Sequence, residues 1–516
     1  IDQTLEKFDF EKPENSVKNL LKILNEIKKL RISVWKTRKL KEVKEIIRLC
    51  LGIKMITNTD FDYGNKGEEI DLDFKVLNNS SHPIYISKVD NQLKNIFLKS
   101  NELYDDKIKF KLPNEFNTPY WLIKNKKNGK FTIDKKFTNK PISAKVTLPV
   151  EVKIFETYIN YDVEVNQRIN NPIKGEVINP FYVVPNIAVN FKKDKYLFLD
   201  TEPQKIIIEV KNLSNKFKGE FKLNAPDGWK IEKDYVNLSL FGKGKTKNIE
   251  FQIKPTNDSK DGILSVSIIS DEITKPKKAM SIFDIEYDHI PKQYIVLPFS
   301  PKIKKLNLIL PRKKVGYLMG AGDLVYENLK SIGLDIELIN INEIENGDLD
   351  RFNTIVMGIR AYNVNNELNS KNKLLFDYVK RGGNLLIQYN TTRNLVTNKL
   401  TPFLLNLSRD RVTKEDSPVK ILTPLHRALN FPHKITSEDF KNWVQERGLY
   451  FPSKWDKKFI PILSMNDKNE NEKLGSLLIG NYGEGKVIYT GLSFFRQIPS
   501  GVTGAYRLLI NLISLE

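Results

Sequence analysis

The stretch VGYLMGAGDLVYENLKSIGLDIELI (residues 315–339) decides the architecture of the C-terminal part of this chain. An apolar run, Val315 to Met319, gives way to the turn Gly320-Ala-Gly322-Asp323 and then to the helical spacing of Leu324 to Ile332. Asp335 to Ile341 reads as a second strand and Thr354 to Met357 as a third. A helix from about Asn369 to Lys380, closed by Gly382-Gly383, leads to a fourth strand, Asn384 to Tyr389. Strand and helix in alternation mean a doubly wound α/β domain with a mostly parallel, flavodoxin-like sheet, and such sheets bind ligands beyond the carboxyl ends of their strands.

Upstream of this domain (residues 305–516), Pro291, Pro298 and Pro301 mark residues 289–304 as an extended linker. Before the linker the hydrophobic period is two, as in Ile70 to Val76, Lys145 to Ile154, Ile206 to Val210, Ile249 to Ile253 and Leu264 to Ile269. Short strands separated by Asn, Gly and Pro clusters predict two Ig-like β-sandwich domains, residues 53–180 and 181–288, divided near Pro180 and Pro185. From Ser16 to Leu51 the spacing is helical: Val17, Leu20, Leu21, Leu24 and Ile27, then Leu40, Val43, Ile46, Ile47 and Cys50. Two such helices cannot make a core alone, so residues 1–52 are expected to pack on a domain upstream of Ile1. The predicted fold class is therefore multidomain α+β.

The 516 residues are 40% hydrophobic and 28% charged, which fits folded domains and excludes a disordered or fibrous chain. No apolar run approaches the roughly 20 residues of a membrane-spanning helix, so no transmembrane segment is expected. The 83 basic and 63 acidic side chains leave a charge of +20. The lysines, as in Lys192-Lys193 and Lys304-Lys305, alternate with Asn, Asp and Glu and accompany no Arg-rich helix, RNA-binding aromatics or zinc finger. Nucleic acid is accordingly not an expected partner. The single cysteine, Cys50, excludes an internal disulfide, and its apolar neighbours point to a structural thiol.

Few residues offer catalytic chemistry. The Gly320 turn lacks the P-loop Lys-Ser/Thr, and no Gly-x-Ser-x-Gly or reactive cysteine follows a strand. Of four histidines only His426 and His433 lie close in sequence, near Glu438, Asp439 and Glu446. Arg360, Tyr362 and Asn363 follow the third strand directly and Asn390 follows the fourth, where such sheets hold ligands. Trp443, Glu446 and Arg447, and further on Phe495 and Arg496, set aromatic faces beside charged hydrogen-bonding groups. That is what a sugar ring requires, and it is equally what a packed core with satisfied charges contains.

Several strings are more specific. KVGYLMGAGD (314–323), GIRAYN (358–363), LSRDRVT (407–413), WVQERGLYF (443–451) and TGLSFFRQIPSGVTGAYRL (490–508) resemble the C-terminal region of large bacterial PIG-L/LmbE-family deacetylases. TPYWL (118–122) and PIKGEV (172–177) resemble their middle region. NAPDGW (224–229) and GKGKTKNIEFQIKP (242–255) look like the galactosidase-associated β-sandwich module found there. The last domain is also similar to class I glutamine amidotransferase-like and ThuA-like domains, in which a reactive Cys would follow the fourth strand; here Asn390-Thr391 stands in that neighbourhood.

The resemblance implies a zinc-dependent de-N-acetylase domain upstream of Ile1, acting on N-acetylated sugars. Its His-Pro-Asp-Asp-Glu motif is absent, since the one His-Pro, His82-Pro83, continues Ile84-Tyr85. No catalytic residue, no metal ligand and no cofactor are then expected on this chain, the zinc belonging to the upstream domain. The implied role is a non-catalytic accessory region with an N-acetylated glycan and the cognate deacetylase domain as partners, in an extracytoplasmic location. Arg360, Tyr362, Asn363, Asn390, Trp443, Glu446, Arg447 and Arg496 are the candidate lining of a sugar-binding cleft. Two alternatives stand beside it: a free-standing carbohydrate-active enzyme using Glu446, Asp439 or His433, and a basic surface scaffold.

Overall fold

The computed structural model describes residues 1–122, 124, 130–137, 145–271, 273–345 and 348–516. They form a multidomain α+β protein in which β-structure predominates. At the N terminus, α1 (Val17–Lys29) and α2 (Val34–Cys50) pack side by side, and the Ser33 hydroxyl caps α2 by accepting from the Lys36 N–H at 3.1 Å. An upstream domain was the expected cover for their apolar stripes. Instead Val17, Leu20, Leu24, Val43 and Ile47 share one core with Leu72, Phe74, Ile86, Val150 and Val152 of the first β domain. Each such side chain contributes roughly 1.5–3 kcal/mol on burial, a stabilisation that short helices lack in isolation. Polar contacts follow the same seam: the Tyr161 hydroxyl donates to the Lys44 carbonyl at 3.3 Å, and Lys44 Nζ to the Asn160 carbonyl at 3.0 Å.

In the first β domain a three-stranded antiparallel sheet (Ile53–Asn58, Glu69–Asn78, Glu102–Lys111) shares this core with a four-stranded one built on Ile84–Val89 and Thr147–Ile154. The second places Ile208 and Phe251 of one four-stranded sheet against Phe221 and Ile268 of another. Alternate residues of each strand turn inward, which is why the period of two was visible in the sequence. Where the two β domains meet, Tyr182–Val184 pairs in parallel with Tyr63–Asn65. There the Tyr294 hydroxyl donates to the Asp62 carboxylate at 3.1 Å.

Residues 289–304 do not form the expected linker. Ile290–Leu297 pairs with Ser281–Tyr287, and Lys302–Lys305 lies parallel to Lys195–Phe198 and antiparallel to Gly262–Ile263. The prolines are compatible with this because Pro291 sits near the start of a two-stranded ribbon and Pro298 and Pro301 fall between strands, where no ladder N–H is lost.

The C-terminal domain runs β1 (Val315–Leu318), α3 (Val325–Ser331), β2 (Ile336–Leu338), β3 (Thr354–Met357), α4 (Leu368–Lys380) and β4 (Asn384–Gln388). It continues through β5 (Leu405–Val412), β6 (Gly448–Trp455), β7 (Phe459–Pro461), β8 (Leu477–Tyr482), β9 (Gly485–Thr490) and α5 (Thr503–Ile513). Seven strands form the main sheet in the order β2-β1-β3-β4-β9-β8-β7. The first five are mutually parallel, and β8 turns back antiparallel to β9. All residues of β1, β3 and β4 are buried, as in parallel strands covered on both faces. Strands β5 and β6 stand apart as an antiparallel ribbon with register shifts.

Candidate binding cleft

In a sheet of this strand order a ligand is expected in the crevice between the carboxyl ends of β1 and β3. Here that crevice is occupied by the protein itself. Asp323 accepts from the buried Tyr317 hydroxyl at 2.8 Å, from the Val325 N–H at 2.9 Å and from the Ile359 N–H at 3.3 Å. Burial, reinforced by the Asp323 charge, pushes the Tyr317 phenol far above its ordinary range. The backbone turns close over the same point: a Cβ at Gly320 would overlap the Ile359 carbonyl oxygen. The open space lies one strand further along, over the ends of β3 and β4.

Arg360 leaves β3 in the left-handed region, at φ 57°, and its N–H is held by the Tyr389 carbonyl at 2.8 Å. That conformation is costly for a residue with a Cβ and concentrates at ligand sites. The loop after β4 is clamped from beneath. The Asn363 amide accepts from the Thr391 N–H and donates to the Arg393 carbonyl, both at 2.9 Å. From the opposite side the β5–β6 ribbon presents Arg409 and Arg411, two residues apart on one strand, together with Tyr450, itself at φ 53°. These side chains, with Thr391 and Arg393, line a cleft of about 530 Å³. At its rim the Tyr450 ring lies nearly parallel to Tyr389, with centroids 6.0 Å apart, and Phe495 packs on Tyr389 at 5.2 Å. Burial raises the Tyr389 phenol, against the opposing pull of Arg360 and Arg496.

Of the eight residues singled out in the sequence, Arg360 lines this cleft. Glu446 and Arg496 form an ion pair at 3.0 Å, close enough to act electrostatically on Tyr389. Asn363 positions the loop from below. The remaining four are structural. Tyr362 is fully buried and donates to Asn372 at 2.5 Å. Asn390 is buried, accepting from the Tyr362 N–H and donating to the Gln388 carbonyl, both at 2.9 Å. Trp443 sits in the core with its indole N–H on the Asp439 carbonyl at 3.0 Å. Arg447 is buried, giving its protons to the Ser417 and Phe440 carbonyls, and desolvation lowers it to about 10. Arg393, Arg409, Arg411 and Tyr450 are not among those eight, and the register shifts of β5 hide from a period-two reading that Arg409 and Arg411 line one cleft.

The groups named for independent acid–base chemistry have structural partners. His433 Nε2 accepts from the Ile309 N–H at 3.2 Å, and burial lowers its pKa. Asp439 caps its own turn at Thr436 and pairs with Arg507 at 2.7 Å. Among the described residues no three His, Cys, Asp or Glu side chains gather closely enough to hold a metal, and no helix is long and apolar enough to cross a membrane. A smaller cavity of about 240 Å³ opens where the β domains meet. The Asn117 amide on its wall is spent on the Phe181 carbonyl and the Val183 N–H.

No protein-family model and no curated protein matches this sequence. Among solved structures the chain is similar to the exo-beta-1,4-mannosidase Op5Man5 from Opitutaceae bacterium strain TAV5, at 13% identity and TM-score 0.24, over 40% of this chain and 36% of that one. It is also similar to red sea bream transglutaminase, at 9% identity and TM-score 0.18, over 52% and 34% of the two chains. A Salmonella alpha-2-macroglobulin reacted with methylamine gives 9% identity and TM-score 0.18, over 49% and 16%. The chain thus spans about a third or less of the length of each, and at these TM-scores the likenesses carry no inference about fold or activity.

Proposed function

We propose that this chain is a non-catalytic, carbohydrate-binding accessory region of a PIG-L/LmbE-family N-acetyl-sugar deacetylase. In this reading the zinc-dependent catalytic domain lies upstream, the second β domain is a galactosidase-associated-type module, and the last domain is an amidotransferase-like fold that has kept a cleft and lost its nucleophile. The observation that carries the reading is the cleft over β3 and β4, where the half-buried Tyr450 ring offers a stacking face among side chains rich in hydrogen-bond donors. Asn390, in the neighbourhood where a reactive cysteine would stand, has its amide committed to backbone groups on both sides, which leaves it no free chemistry.

The test is calorimetric titration of the chain with N-acetylglucosamine and its short oligomers, with released acetate assayed in parallel. Binding is expected without acetate release, and Tyr450→Ala should weaken it about tenfold, the equivalent of ~1.4 kcal/mol. Acetate release by this chain, or oligomer binding indifferent to Tyr450→Ala, would overturn the reading.

A further inference from the structure

The cleft has a property that a neutral sugar does not explain. Four arginines, Arg360, Arg393, Arg409 and Arg411, line it from three separate segments of chain. Among the described residues none of them pairs with a carboxylate or donates a side-chain hydrogen bond. Most arginines elsewhere differ: Arg168, Arg381, Arg427, Arg496 and Arg507 each lie within 3.1 Å of a carboxylate oxygen, and Arg447 gives its N–H groups to two backbone carbonyls. Among the described residues Arg31 and Arg312 also lack a carboxylate, but neither lines the cleft. Asp410, which separates Arg409 from Arg411 in sequence, forms an ion pair with neither. Arg411 instead lies over the Tyr450 ring at 5.8 Å, a cation–π contact that uses none of its hydrogen-bond donors.

Cations lining one cleft repel one another, and guanidinium forks fit the paired oxygens of carboxylates, sulfates and phosphates. The left-handed backbone at Arg360 and at Tyr450 brings two cleft residues into place at a conformational cost, which favours a ligand-facing role over incidental surface charge. We infer that the cleft holds an anionic oxyacid group, and that its ligand is an acidic saccharide: the carboxylate, sulfate or phosphate sits among Arg360, Arg393, Arg409 and Arg411, and the attached ring lies against Tyr450. The saccharide half of this inference rests on the reading proposed above; the anion half rests on the guanidinium groups alone.

The experiment measures binding of matched probes to the full chain at fixed salt: N-acetylglucosamine, its 6-sulfate and 6-phosphate, glucuronic acid, and inorganic sulfate and phosphate. The acidic sugars should bind at least about tenfold more tightly than N-acetylglucosamine, and Arg409→Gln with Arg411→Gln should abolish that advantage. Lys230→Gln with Lys254→Gln removes the same charge from facing positions on the second β domain and should change nothing, which separates a site from general attraction to a basic protein. Equal affinity for neutral and acidic sugars, or loss of anion binding in the lysine control, overturns the anion site and leaves the glycan reading untouched. Inorganic sulfate or phosphate binding as tightly as the sugar esters, with Tyr450→Ala without effect, upholds the anion site and overturns the glycan reading. No binding of any anion overturns the inference outright.

Discussion

Asp467 fastens the segment that follows β5, the strand carrying Arg409 and Arg411. One carboxylate oxygen accepts from the Thr413 N–H and hydroxyl, both at 2.7 Å; the other accepts from the Ser417 hydroxyl at 2.7 Å and the Lys414 N–H at 3.0 Å. Burial alone would raise this carboxyl, but the hydrogen bonds outweigh it and hold the group at about 2. Since the folded pKa lies below the unfolded value of roughly 3.9, the carboxylate stabilises the fold above about pH 4, and that contribution disappears between about pH 4 and pH 2. Asp467→Asn should cost about 1–3 kcal/mol at neutral pH, because its amide N–H groups would face donors. Urea melts at pH 7 and pH 2.5 should show the gap between the two proteins closing in acid; a gap of equal size at both would exclude this role. At this scale the sequence was only partly legible. Arg360 could be placed because it directly follows a strand, whereas Trp443 and Arg447 carry the same local pattern whether the guanidinium meets solvent or two backbone carbonyls. Only the fold decides which.

At the scale of elements, helix α5 is buried along nearly its whole length and rests on the turn Ser437–Phe440. Gly504 permits the approach, since a Cβ there would overlap the Asp439 carbonyl oxygen. In an exposed helix Gly→Ala is stabilising by up to about 1 kcal/mol; here the overlap should reverse the sign, at a cost of about 1–3 kcal/mol. Thermal melts of Gly504→Ala settle it, and a raised Tm would mean that the turn yields freely. Periodicity made the first half of the C-terminal domain legible: β3 spans the residues predicted, and α4 and β4 differ from expectation by one residue at an end. It misled at Ile290–Leu297 and Lys302–Lys305, where three prolines outweighed the alternation of buried residues at Tyr294 and Val296. Proline forbids a ladder N–H, not a strand, and sequence alone does not reveal which edge goes unpaired. The β5–β6 ribbon escaped for another reason. Its register shifts break the period that would have announced it, and they accompany the turn of backbone that aims Tyr450 into the cleft.

For the whole molecule, the contact between the second β domain and the C-terminal domain includes a half-buried lysine. Lys195 Nζ donates to the carbonyls of Ile498 and Pro499. Burial lowers its pKa to about 8, Asp194 opposing and Lys302 adding to the fall. The unfolded chain, with a lysine pKa near 10.4, binds more protons between about pH 8 and pH 10, so this group favours the folded state increasingly as pH rises through that range. The difference in Tm between the native protein and Lys195→Met should therefore shift in favour of the native protein from about pH 7.5 to pH 9.5. A constant difference would mean that the lysine titrates normally. The succession of helices, β-structure and β/α alternation along the chain was legible from period. The partner of α1 and α2 was not, because a helix stripe records that it is covered and never by what.

The short strand Lys302–Lys305 bears on how this molecule can be dissected. Its neighbours are Lys195–Phe198, more than a hundred residues earlier in the chain, and Gly262–Ile263, and the Leu306 N–H adds one more bond to the Phe198 carbonyl at 2.8 Å. Cutting after residue 288, where proline content invites the scissors, would strip Lys195–Phe198 of its partner and leave a raw sheet edge open to pairing with other chains. The same cut would orphan Ser281–Tyr287. The hydrogen bonds draw the boundary beyond Leu306 instead, so a fragment meant to behave as the second β domain must carry some twenty residues that the proline pattern assigns to a tether.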